Sequence, residues 1–279
     1  MAIKRRHNEE KEEWFLSPTI DLLFKRIFAD TRSTKPICSL LGAILNTDVS
    51  DVCIENPELP RSAIDLKGSI LDIHAILNGT VHVNIEMQVY HQADFIKRAQ
   101  LHVAKMCSSQ LAPGDSYNKL QQTIVINILC DGNYGLPAEK WHNKFSFKEE
   151  ETNAPLPNGI MEMHFIELKK ALKLGINDES DLLTKWVLFM SAESMNEMKA
   201  VAKEDPAILE AYTIIEEVAL NKKERMLYEA RQTFLRDQLA NKEEGREEEK
   251  RKIAKKMLSE GIDIETICKV TGLQPSDLV

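Results

Sequence analysis

The chain has 279 residues, with 43% hydrophobic and 29% charged side chains and a formal net charge of −8. That length fits one large domain or one domain with an appendage, and that hydrophobic content is enough for a sizeable core. The charge argues against a protein that coats nucleic acid, although an enzyme acting on nucleic acid stays open if a cation or a local basic face serves the phosphates.

No stretch approaches the 18 uninterrupted apolar residues of a membrane span. The start, MAIKRRHNEEKEEW, has basic residues but no apolar run behind them, so export is not expected. The five cysteines (Cys38, Cys53, Cys107, Cys130, Cys268) are odd in number, scattered, and contain no C-x-x-C pair. They read as reduced, mostly buried thiols of a cytoplasmic protein. The histidines show no zinc spacing with cysteine.

The organisation reads as four segments. Residues 1–16 form a charged arm that orders only by docking. Residues 17–177 carry the mixed α/β signals. Residues 178–240 read as a helical extension, and 241–279 as a charged helix with a helix-turn-helix-like tail.

The first helix is expected to begin in SPTIDLLFKRIF, with Ser17 as cap and Pro18 in the first turn. Ile20, Leu23, Phe24, Ile27 and Phe28 then make one apolar stripe. Asp21 sits beside it. It is either a carboxylate favoured by the helix dipole or an acid leaning into a site. A second helix follows in TKPICSLLGAILN, with Leu40, Leu41, Ile44 and Leu45 inward.

The stretch SILDIHAILNGTVHVNIEMQVY is a hairpin. Leu71, Ile73, Ala75, Leu77, Val81, Val83, Ile85, Met87 and Val89 are apolar at odd positions, and Asn78-Gly79 marks the turn. Paired residues must share a face, so their numbers must sum to an even value. A loop of Asn78 to Thr80 gives a sum of 158 and sets Asp72 opposite Glu86 and His74 opposite Asn84. A loop one residue earlier gives 156, with Asp72 opposite Asn84 and Glu86 on the diagonal. In both registers Asp72, Glu86 and Gln88 share a face. Opposed carboxylates repel. A divalent cation removes that objection, since Mg²⁺ takes one or two carboxylates and keeps several waters. The alternative is a plain polar outer face.

A helix is expected over 93–111, burying Ile96, Ala99, Val103, Met106 and Cys107. Arg98, His102 and Lys105 form a basic stripe on another face, with Lys97 nearby. Arg98 and Lys105 are candidates for phosphate contact, with Arg98, nearer the start of the helix, also placed to brace Glu86, and the alternative is a solvated face. His102 reads as a surface or packing histidine. QQTIVINILC is a strand of a sheet centre, and MEMHFIEL is another strand. DLLTKWVLFMSAE and PAILEAYTIIEEVAL are amphipathic helices. The final DIETICKVTGLQPSDLV lacks a clear basic recognition face and reads as a packing or self-association module before a DNA reader.

Three stretches, SPTIDLLFKRIF, LDIHAILNGTVHVNIEMQ and FIKRAQLHVAKMCSSQLAPGDSYNKLQQTIVINIL, together resemble the recombination-promoting nuclease or putative transposase family of the PD-(D/E)XK nuclease superfamily. The tail KMLSEGIDIETICKVTGL is similar to that family's C-terminal segment. The resemblance implies an α/β, restriction-endonuclease-like fold: a mixed central sheet flanked by helices, with an αβββαβ core and a helical C-terminal extension. It implies a metal-dependent DNA endonuclease, with a link to recombination or mobile elements. The alternative is a catalytically silent relative that binds nucleic acid or a partner protein. Asp72 and Glu86 stand for the motif's metal-binding carboxylates, with Mg²⁺ as cofactor and Mn²⁺ as a substitute. Asp21 fits the acid of the first core helix. Gln88 stands where the superfamily usually has lysine, which exchanges a cation beside the attacking water for a neutral amide. The implied partner is DNA, with no membrane, and a homo-oligomer through the C-terminal helices is a further expectation.

Overall fold

The computed structural model describes residues 15–56, 72–176 and 181–277. The expected arm, except for its last residues, and Leu71, expected on the apolar face of the hairpin, therefore lie outside the described residues. Contacts divide the chain into two compact units, one ending at Tyr228 and one beginning at Glu229.

In the first unit α1 (Asp21–Phe28) and α2 (Lys35–Leu45) precede β1 (Val52–Ile54), β2 (Ile73–Leu77) and β3 (Val81–Gln88). Then come α3 (Phe95–Ser108), β4 (Thr123–Leu129), β5 (His142–Ser146) and β6 (Met161–Glu167). The helices α4 (Leu168–Lys173), α5 (Leu182–Ser191), α6 (Met195–Ala202) and α7 (Pro206–Leu220) follow. Helix α8 (Lys222–Ser259) runs across the boundary, and α9 (Ile264–Thr271) completes the second unit.

The strands form one six-stranded sheet in the order β1-β2-β3-β4-β6-β5. β1, β2 and β3 are antiparallel, β3, β4 and β6 are parallel, and β5 returns antiparallel on the far edge. Every residue of β4 is buried, as its continuous apolar run requires of a central parallel strand. The run from α1 through the three antiparallel strands to α3 and β4 is the expected αβββαβ core.

Several local expectations shift. α1 starts at Asp21, not at Pro18. The Ser17 hydroxyl is engaged with Thr19 Oγ1 at 2.7 Å, and residues 17–20 form a turn closed by Ile20 N donating to Ser17 O at 3.2 Å. Leu45, Ile96 and Met106 are half-buried rather than inward. Only Cys107 of the five free thiols is buried, and Cys53 is exposed, so "mostly buried" does not hold. β1, β5 and α6 had no clear signal in the pattern.

Helices α5–α7 pack on α1, α2 and α4 and belong to the first unit. Trp186 of α5 anchors them. Its ring lies 5.3 Å from that of Phe28 and 5.8 Å from that of Phe189, and its Nε1 donates to Ser39 Oγ at 3.1 Å. Full burial of such a side chain contributes on the order of 1.5–3 kcal/mol. Asp205 caps α7 by accepting from the amides of Ala207 and Ile208, with Pro206 in the first turn. In the second unit Ala254, Ile267 and Leu273 bury one another, and Asp263 caps α9 through the Thr266 amide at 2.8 Å. No helix among the described residues is long and apolar enough to cross a membrane.

Candidate functional site

The site is built on the β2–β3 hairpin and the face of α3 that lies over it. The hairpin takes the register of sum 158: Ile73 pairs with Ile85, His74 with Asn84, and Leu77 with Val81. The loop is therefore Asn78 to Thr80. Asn78 and Gly79 both take positive φ, which an asparagine–glycine pair accepts with little strain. The Asn78 side chain also fixes the hairpin tip, accepting from Ser50 N at 3.2 Å and Asp51 N at 3.1 Å. At the other end Asn56 holds the entry to β2. Its Nδ2 donates to Asp72 O at 3.0 Å, and its Oδ1 accepts from His74 N at 2.8 Å. Continuing the ladder by one position sets Asp72 across from Glu86.

Asp72 borders a groove of about 510 Å³, and Glu86 is not among the residues that line it. Asp72, His74 and Asn84 line its sheet side, and His102 and Lys105 line it from α3. Asp72 Oδ2 lies 2.6 Å from His74 Nε2. Burial alone would push the Asp72 carboxyl up, but the His74 hydrogen bond and charge outweigh it and hold the carboxyl below its usual range. His74 is raised in turn, first by that hydrogen bond.

Glu86 is fully buried. Its Oε1 accepts from Arg98 Nη2 at 3.0 Å, and its Oε2 lies 3.4 Å from His102 Nδ1 but has no hydrogen-bond partner among the described residues. Burial pushes its carboxyl up to about 7, opposed by the Arg98 charge and reinforced by that of Asp72. The two carboxylates therefore do repel each other, as opposed acids on one face must. His102 is lowered by burial and by the Arg98 charge.

Gln88 is also buried on this face, and its Nε2 donates to Tyr90 O. Asp21 is buried in the first turn of α1, where its Oδ1 accepts from Leu22 N at 2.8 Å, and it is not among the residues lining the groove. Arg98 is spent on Glu86 and Gln92, with its guanidinium 5.6 Å from the Phe95 ring centre. Lys105 is exposed at the groove. The structure thus places Asp72, His74, His102 and Lys105 on the groove and ties Glu86 to Arg98 and His102 behind it, while Glu86, Gln88, Arg98 and Asp21 are not among the lining residues. Sequence reasoning placed His74 opposite Asn84 without giving it a role, and it read His102 as surface or packing. The spacing of Arg98, His102 and Lys105 on one helical face was the signal for the second histidine.

The donor set fits a hard divalent cation. Among the described residues no three His, Cys, Asp or Glu side chains form a ready cluster. Two carboxylates with open positions for water suit Mg²⁺, whereas structural zinc needs more protein ligands. The unsatisfied Oε2 of Glu86 and Oδ1 of Asn84 are buried oxygens on this face, and such atoms are costly unless something supplies a partner.

Comparison with known proteins gives two family matches. The family described as PD-(D/E)XK nuclease family transposase matches residues 18–245. The C-terminal HTH domain of the Rpn/YhgA-like nuclease family matches residues 247–279. No curated protein and no solved structure matches the chain.

Proposed function

Because the chain belongs to the PD-(D/E)XK nuclease family transposases, with the C-terminal HTH domain of the Rpn/YhgA-like nuclease family, we propose that it is a Mg²⁺-dependent DNA endonuclease of the cytoplasm, at work in recombination or on mobile elements. The observation that carries this reading is the meeting of Asp72 and Glu86 across the hairpin, one on the groove wall and the other buried with an unsatisfied oxygen.

In this reading Asp72 and Glu86 hold the metal. A divalent cation there would supply Lewis acidity to the attacking water and charge neutralisation for the phosphoryl oxygens. The chain's own groups do the positioning. Arg98 fixes the Glu86 carboxylate, and His74 fixes that of Asp72. Lys105 meets the DNA backbone from the groove rim. Gln88 has two N–H groups and an acceptor oxygen; one N–H is held by Tyr90, and the rest orient water. Hydrolysis adds the water oxygen to phosphorus, breaks one phosphorus–oxygen ester bond and returns a proton to the leaving sugar oxygen. Asp21 acts from α1 as a supporting acid. The C-terminal helices contribute DNA contact through the HTH segment and self-association.

A second reading has one observation in its favour. Arg98 already neutralises Glu86, and a neutral Gln88 replaces the usual lysine. Those features suit a silent relative that binds DNA without cutting it. Incubation of supercoiled plasmid with Mg²⁺, Mn²⁺ or chelator separates the two. Metal-dependent nicking supports the enzyme, and binding with no cleavage in either metal supports the silent relative.

A further inference from the structure

The nuclease chemistry proposed above asks for a cation beside the attacked phosphate, and Gln88 cannot be one. Each nearby cation on the groove side has another task or place. Arg98 is bound to Glu86 and Gln92. Lys105 is exposed at the rim.

Lys25 of α1 is different. It is only 5% exposed, in a helix that contacts β3. Among the described residues its ammonium makes no hydrogen bond and no ion pair, whereas its neighbour Arg26 pairs with Asp30 at 2.7 Å. Lysine is almost never buried so fully without a partner, because an isolated ammonium loses its hydration and gains nothing. A fold has no stability reason to keep such a group. Burial lowers the pKa of the Lys25 ammonium and the charge of Asp72 works against that, while Lys25 in turn helps to hold the Asp72 carboxyl below its usual range. It also acts on His74. A cation unpaired among the described residues is therefore held from the α1 side within the electrostatic reach of the Asp72–His74 pair.

We propose that Lys25 is a catalytic residue of this chain, the ammonium that contacts the attacking water or a non-bridging phosphate oxygen in place of the lysine absent at position 88. The inference rests on the nuclease reading. Its physical content is that a buried donor with no partner among the described residues gains a hydrogen-bond partner when the phosphate arrives. No energy is then spent on reorganising it during the reaction. A lysine delivered by a helix leaves the β3 position open to a neutral amide.

The test uses the full chain and four proteins: wild type, Lys25→Met, Lys25→Met with Gln88→Lys, and Asp72→Ala. Single-turnover cleavage of plasmid in Mg²⁺ and thermal unfolding of the metal-free proteins are both measured. Lys25→Met is expected to cleave about 100-fold more slowly, the usual cost of losing one charge-stabilising donor. Its unfolding midpoint is expected to be equal to or above that of wild type, because a buried charge with no partner among the described residues has been removed. Gln88→Lys in that background is expected to restore at least about tenfold of the rate. Cleavage by Lys25→Met at the wild-type rate, with Asp72→Ala inactive, overturns the role of Lys25 and leaves the nuclease reading standing. A Lys25→Met protein that loses stability along with activity shows a structural lysine and also overturns it. A wild type that cleaves in neither Mg²⁺ nor Mn²⁺ overturns the nuclease reading itself.

Discussion

Arg98 Nη2 stands 3.0 Å from Oε1 of Glu86, a carboxylate with no exposed surface. The contact ties α3 to β3 and makes Arg98 a brace for the buried acid. That changes what its removal should do. The notion of a single phosphate-binding stripe on α3 splits into two tasks, one facing the carboxylate and one facing DNA.

Arg98→Ala is expected to lower cleavage at least about tenfold with little change in the salt dependence of DNA binding, since losing the partner of a buried charge is costly. Lys105→Ala is expected to weaken binding evenly across sequences and to reduce the slope of log K against log[salt] by about one. Binding isotherms in Ca²⁺, at several salt concentrations, read both. Equal slopes for Lys105→Ala and wild type would remove this helix face from the DNA interface.

Metal binding should follow the proton on Glu86. Its carboxyl is pushed up to about 7 by burial, and a ligand must ionise before it binds. Calcium affinity measured by calorimetry is therefore expected to tighten from pH 5 toward 7 by up to about tenfold per unit and to level off above that. An affinity that stays flat over that range would separate Glu86 from the metal.

The same group makes the metal-free fold pH-sensitive, with a defined sign. The folded carboxyl is raised to about 7 from 4.5, so the folded chain holds a proton that the unfolded chain has released between those values. Its contribution is complete below 4.5 and is lost as pH rises through 7. Unfolding free energy of the metal-free wild type should fall across that window by up to about 1.4 kcal/mol per pH unit relative to Glu86→Gln. Parallel pH profiles for the two proteins would contradict the raised carboxyl.

Gln88→Ala is expected to lower turnover about tenfold or more while Ca²⁺ affinity stays within about threefold, in the range seen for groups that position a proton transfer. A loss of metal affinity equal to the loss of rate would make Gln88 a ligand instead of a water-orienting amide.

Much of the hairpin was legible because side chains alternate with a period of two. Parity alone left two registers, and both put Asp72, Glu86 and Gln88 on one face. The choice between them depended on backbone freedom at Asn78 and Gly79 and on the anchoring of Asn78 by the Ser50 and Asp51 amides, a contact far away in sequence. β5 was not legible, since an edge strand with one buried residue and three exposed ones has no alternation to read. Arg98 as a brace for Glu86 was legible from its place near the start of α3, and the contact is present. The Glu86–His102 contact was hidden, because it depends on how α3 docks on the sheet and no local period encodes that. The start of α1 was misplaced because Ser17 had a nearer partner in Thr19 than the helix amides it was expected to cap.

The most direct test of the metal-dependent nuclease account is plasmid cleavage by Asp72→Ala in Mg²⁺, beside wild type prepared identically and shown by circular dichroism to be equally folded. Asp72 lines the groove and faces the buried Glu86 across the hairpin, so its removal takes away one of two metal carboxylates. The account predicts that wild type converts supercoiled plasmid to nicked or linear DNA and that the variant leaves it intact. Undiminished cleavage by the folded variant, in preparations free of contaminating nuclease, would contradict it.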